Sequence, residues 1–112
     1  MSLASKDINR MRIVTVNADR IDAAMAIQFK EDMRQITQGA PDRVVLDLSK
    51  VDFVDSSGLG AIVAAMKQLD GACKLDLAGL SDPVAKVFRL TRMDTVFQIF
   101  DTVDDATLAE AE

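Results

Sequence analysis

The sequence predicts an α/β fold, a single domain with a mixed, mostly parallel β-sheet flanked by about four helices. Three observations lead there. Short β-branched or apolar runs, Met11–Asn17, Val44–Leu48 and Lys74–Gly79, have the length and content of strands. Between them lie segments with apolar residues at helical spacing. Gly39, Pro41 and the Asp70-Gly71 pair punctuate the helix ends, so strand and helix alternate along the chain. Strand–helix–strand units favour parallel pairing.

Taken in order, residues 3–8 read as an edge strand within an N-terminal strand or tail over residues 1–10. Met11–Asn17 alternates and is the next strand. Ala18–Asp22 reads as its exit loop, and Asp22 as the N-cap of a helix over residues 23–38. Met25, Phe29, Met33 and Ile36 fall on one face of that helix; Lys30, Glu31 and Arg34 fall on the others. After Val44–Leu48 a polar knot leads into a helix over residues 57–70, with apolar residues at 59, 62, 63, 66 and 69. Ser81-Asp82-Pro83 opens a further helix, with proline where its missing N–H costs nothing. Val84, Val87, Phe88 and Thr91, with Leu90 alongside, are its expected buried face. Val96–Phe100 reads as a short strand, and Thr102-Val103-Asp104-Asp105 as a capping box that opens a last helix, fraying near 111.

Composition narrows the function. The 112 residues suit one domain, and 49% apolar content suits a packed core. A net charge of −5, with no Lys/Arg cluster, argues against nucleic acid. No apolar run is long enough to enter a membrane, and the first residues lack the apolar core of a secretory signal. The lone Cys73 suits a reducing cytoplasm and reads as a partly buried structural thiol. Histidine is absent, which removes Ser-His dyads and most zinc sites. Neither a phosphate-binding glycine loop nor a G-x-S-x-G elbow occurs. Asp47, Asp52 and Asp55 read as solvated or capping carboxylates rather than a metal cluster. The chain is expected to be neither an enzyme nor a cofactor-binding protein.

The chemistry that remains lies in the knot, Asp55-Ser56-Ser57-Gly58-Leu59-Gly60. Asp and Ser are good helix caps, so the knot can be a cap alone. Two features exceed that need. Adjacent serines outnumber one cap, and Gly58 and Gly60 each weaken a helix by up to about 1 kcal/mol. Close approach to the backbone, by a partner or by the protein's own packing, would account for the glycines. A hydroxyl at a helix N-terminus can be phosphorylated without harm to the helix, because unpaired N–H groups and the helix dipole favour an anion. A partner packed over the neutral hydroxyl would instead meet a dianion beside Asp55.

The run Leu48-Ser49-Lys50-Val51-Asp52-Phe53-Val54-Asp55-Ser56-Ser57-Gly58-Leu59-Gly60 resembles the signature of STAS domains, the bacterial anti-sigma factor antagonists. The likeness extends to Arg20–Ala24, Pro83–Leu90 and Phe97–Ala106. It implies that the second serine, Ser57, is phosphorylated by an anti-sigma factor that is itself a serine kinase and supplies ATP and Mg²⁺. It also implies a metal-dependent serine phosphatase that reverses the step. The unphosphorylated protein would bind the kinase and release a sigma factor. Asp22 and Asp55 match positions near the phosphoacceptor, and Asp55 is expected to orient the Ser57 hydroxyl. Ser56, Gly58, Leu59 and Gly60 complete the expected docking surface. Two positions depart from the family: Asp19, where many members have glycine, and Thr91-Arg92, where many have Ser-Gly or Thr-Gly. Two other readings stay open. One is a STAS-like subunit of a transporter ATPase complex or signalling scaffold without phosphorylation; the other is a small-ligand or nucleotide-binding module.

Overall fold

The computed structural model describes residues 2–69 and 73–110. A five-stranded sheet is built from β1 (Ser2–Ile8), β2 (Met11–Asn17), β4 (Arg43–Asp47), β6 (Lys74–Ala78) and β7 (Ile99–Phe100), in the order β1-β2-β4-β6-β7. The hairpin β1–β2 is antiparallel and every later pairing is parallel, so the sheet is mixed and mostly parallel. Helices α1 (Ala26–Ile36), α2 (Ser56–Gln68), α3 (Asp82–Leu90) and α4 (Val103–Glu110) surround it.

Strand alternation sorts the core into two sides. On β4, Val44 and Leu46 point into the larger cluster with Phe29 and Met33 of α1, Ile62 of α2 and Phe88 of α3. Val45 points the other way, toward Met11, Ala78 and Ala106 of α4. Phe88 meets Phe97 edge-on, with ring centroids 6.1 Å apart.

The α4 side is closed by Arg43. Its Nε donates to Asp76 Oδ2 at 2.6 Å, its Nη1 donates to the Ala106 carbonyl at 2.8 Å, and its guanidinium lies 5.2 Å from the Phe100 ring centroid. Asp76 is buried and the Arg43 side chain largely so, so each depends on the other for solvation. At the far edge, Arg12 grips Asp7 across the β1–β2 hairpin. That hydrogen-bonded pair lowers the Asp7 carboxyl below its ordinary value and raises Arg12.

Several expected boundaries shift. Residues 23–25 form a turn, and α1 begins at Ala26 with Met25 at its cap position. Asp22 therefore caps the turn, accepting from Ala24 N at 3.1 Å, and does not cap the helix. The supposed exit loop contains a strand, β3 (Arg20–Ile21), paired in parallel with β5 (Phe53–Val54). The Ser81 hydroxyl does not cap α3 but donates to the Val51 carbonyl at 3.0 Å. Thr91 and Leu90 are exposed, leaving Val84 and Phe88 as the buried anchors of α3. Only Ile99–Phe100 of the Val96–Phe100 run is strand; a 3₁₀ turn at Met93–Thr95 precedes it, and Phe97 plugs the core. The Thr102 hydroxyl caps α4 as expected, accepting from Asp105 N at 3.0 Å. Asp70-Gly71 and the fraying near 111 lie outside the described residues.

Arg43→Ala should lower stability by about 3–5 kcal/mol, because it strands the buried Asp76 carboxylate and removes the α4 contact. Urea unfolding followed by circular dichroism measures the loss. Arg43→Ala/Asp76→Ala should recover part of it.

Candidate functional site

The polar knot becomes the start of α2. Asp55 is extended (φ −96°, ψ −175°) and takes the cap position, with Oδ1 accepting from Gly58 N at 2.8 Å. Its Oδ2 accepts from Ala23 N at 3.2 Å. One carboxylate thus ties the helix start to the turn before α1. The Asp55 carbonyl accepts the first helical bond, from Leu59 N at 2.9 Å. The serines are not the cap. Ser56 and Ser57 are the first two helical residues, both exposed, and their backbone N–H groups have no partner among the described residues.

Asp55 does not orient the Ser57 hydroxyl as expected. Both its oxygens are engaged by backbone donors, one from the first turn of α2 and one from the turn at Ala23. The hydroxyl of Ser57 has no hydrogen-bond partner among the described residues.

Gly58 serves packing. It is buried, and a Cβ there would lie 1.9 Å from the Ile21 carbonyl oxygen of β3. The bare backbone of α2 therefore rests directly on the bare backbone of β3. Gly60 differs: it is exposed, and a Cβ there would meet nothing within 4 Å. Leu59 is half-buried against the main core. Asp22 is near Ala23 in the same turn, with its carboxylate 3.7 Å from Arg20. Arg20 also lies 3.8 Å from Asp19. Asp22 and Asp55 are brought together through residues 23–24, on which each accepts one backbone N–H.

The miniature β3–β5 sheet escaped sequence reasoning, because two residues carry no readable periodicity. It is what places the turn beside the knot, with Asp52 N also donating to the Asp19 carbonyl at 2.9 Å. Phe53, on β5, leaves about half its surface exposed (49%) near the site. The other aspartates act locally: Asp47 Oδ1 accepts from Ser49 N at 3.0 Å, and Asp52 is exposed. Among the described residues, no helix is long and apolar enough to cross a membrane.

Known proteins bear on this geometry. The family model described as "STAS domain" matches residues 2–106. An anti-sigma-B factor antagonist of Listeria monocytogenes is 33% identical over 102 residues, 88% of this chain and 88% of that protein. A crystal structure of an anti-sigma factor antagonist from Mycobacterium paratuberculosis superposes with TM-score 0.86 at 24% identity, covering 99% of this chain and 94% of that one. The Bacillus cell fate determinant SpoIIAA, solved in its phosphorylated form, matches with TM-score 0.65 at 21% identity over 95% and 96% of the two chains.

The two glycines should respond oppositely to alanine. Gly58→Ala should destabilise by about 1–3 kcal/mol through overpacking against Ile21. Gly60→Ala should be neutral or stabilise by up to about 1 kcal/mol, as an exposed helical site. Parallel thermal and urea melts check both.

Proposed function

Because this chain belongs to the STAS domain family, we propose that it is an anti-sigma factor antagonist whose binding is switched by phosphorylation of Ser57. The observation that carries this reading is the state of that residue: an exposed hydroxyl on the second residue of α2, unused by the cap, beside two backbone N–H groups that have no partner among the described residues. The name of the Listeria relative, an antagonist of an anti-sigma factor, supplies the kind of partner. The phosphorylated form of SpoIIAA supplies the kind of modification.

The mechanism follows from electrostatics. Unmodified, the start of α2 offers a small neutral surface: two hydroxyls, the glycine backbone at Gly60, and the ring of Phe53 nearby. An anti-sigma factor that is a serine kinase docks there, with its own ATP and Mg²⁺ in reach of Ser57. Phosphoryl transfer forms the bond from Ser57 Oγ to the γ-phosphorus and breaks the bond to ADP; the hydroxyl proton passes to a base on the kinase. The product carries about −1.5 to −2 charges, which the helix start tolerates and a closely packed partner does not. The Asp55 carboxylate caps the same helix start, so the new dianion would sit close to an existing negative charge. The kinase is released, and a metal-dependent phosphatase resets the domain. The cap bonds of Asp55 do not involve the Ser57 hydroxyl, so the switch acts on binding and leaves the fold intact.

The test pairs the purified chain with serine kinases of the anti-sigma type from its own genome. Incubation with ATP and Mg²⁺ should add one phosphoryl group, mapped by mass spectrometry to Ser57. Ser57→Ala should bind the kinase and stay unmodified. Ser57→Asp should weaken binding about tenfold or more, while its stability changes by no more than about 0.5 kcal/mol. Wild-type binding by Ser57→Asp would defeat the switch. Binding without any modification would favour an assembly subunit.

A further inference from the structure

Two leucines stand well clear of the core: Leu90, at the end of α3, is 74% exposed, and Leu108, in α4, is 69% exposed. Isolated surface leucines are ordinary, but the charged residues within four positions before each on its own helix differ in sign, basic for Leu90 and acidic for Leu108, although Asp82 and Asp94 also lie exposed at the two ends of the basic stretch. Leu90 shares a helix face with Lys86, four residues back, and is flanked by Arg89 and Arg92. All three basic residues are exposed, and none is in an ion pair among the described residues. Arg92 is also held in the left-handed region, at φ 62°, where side chains other than glycine are disfavoured. Leu108 shares its face with Asp104 and Asp105, four and three residues back. Both aspartates are exposed and outside any ion pair among the described residues. The chain thus presents one leucine among cations and another among carboxylates, in a protein of net charge −5.

The two patches cannot meet within one molecule. Val84 and Phe88 seat α3 on one side of the five-stranded sheet, and Ala106 seats α4 on the other. A second copy supplies the complementary patch. We propose that copies of this chain associate head to tail, with the Lys86–Arg89–Leu90 face of α3 in one copy receiving the Asp104–Asp105–Leu108 face of α4 in the next. Charge complementarity sets the orientation, and the leucines supply the desolvated centre. The contact joins unlike patches, so each pairing leaves one face of each kind unused. Association then closes into a ring or continues as a short filament, and does not stop at a two-fold dimer. The patches are small and rimmed by solvent-exposed charge, so the association is weak and salt-sensitive.

Sedimentation velocity on the full chain tests this. At low salt the mean sedimentation coefficient should rise between about 10 μM and about 1 mM, and fall back at about 0.5 M NaCl as the charges are screened. Lys86→Glu/Arg89→Glu and Asp104→Lys/Asp105→Lys should each remain monomeric alone. An equimolar mixture of the two should associate again, because each inverted face now meets an inverted or native complement. Leu90→Ser and Leu108→Ser leave the first turn of α4 intact and should also be monomeric, with unchanged circular dichroism. A wild-type chain that stays monomeric across the range would overturn the proposal. So would association indifferent to these substitutions, or a charge-inverted mixture that fails to associate.

Discussion

The carboxylate of Asp55 is the constraint on which the site depends. One oxygen closes the start of α2 through Gly58, and the other holds the Ala23 backbone. Two stretches far apart in the chain are thereby fixed at one point. The β3–β5 pairing fixes the same two stretches a few residues earlier, and the contact of Gly58 with the Ile21 carbonyl sets how closely they approach. A cap is ordinarily a local device worth about 1 kcal/mol. Here it is also a tertiary bond, which makes the helix start a rigid platform instead of a fraying end.

The sheet arranges the rest around this platform. Its larger side is covered by α1, α2 and α3 over a core of aliphatic residues with Phe29, Phe88 and Phe97. The smaller side has a single helix, α4, and a charged group in its interior. Arg43 satisfies that interior three ways, by Asp76, by the Ala106 carbonyl and by the face of Phe100. Such a pair contributes less to net stability than apolar filling of equal volume would, but it gives α4 one directional seat. The apolar set around Ala106 beside it is small.

Much of this was legible in the residues. The strand at Met11–Asn17, the strand read over Lys74–Gly79 (one residue too long), the helix after the knot and the mixed sheet follow from periodicity and punctuation, because those signals are local. So does the Thr102 cap. The errors arise where a long-range contact overrides a local one. Asp22 and Asp55 are equally good caps by residue type, yet only Asp55 caps a helix, since β3 draws residues 20–24 across to β5 and delays the start of α1. Ser81 looks like a cap, but its hydroxyl is taken by Val51. Gly58 announced a close approach without saying whose, and only the Ile21 carbonyl answers that. Arg92 is the reverse case. Its departure from the family's usual glycine was visible in the sequence, and the positive φ explains why glycine suits that position.

The Ser57 hydroxyl, unengaged among the described residues, has a consequence for how such a site can change over time. Architecture resides in the Asp55 carboxylate and the missing Gly58 side chain, whereas the proposed outward chemistry resides in a hydroxyl that makes no structural bond among the described residues. Under the proposed switch, substitutions at the exposed rim would retune which protein is met, and how tightly, at little cost in folding. The scaffold and its message are written in different atoms.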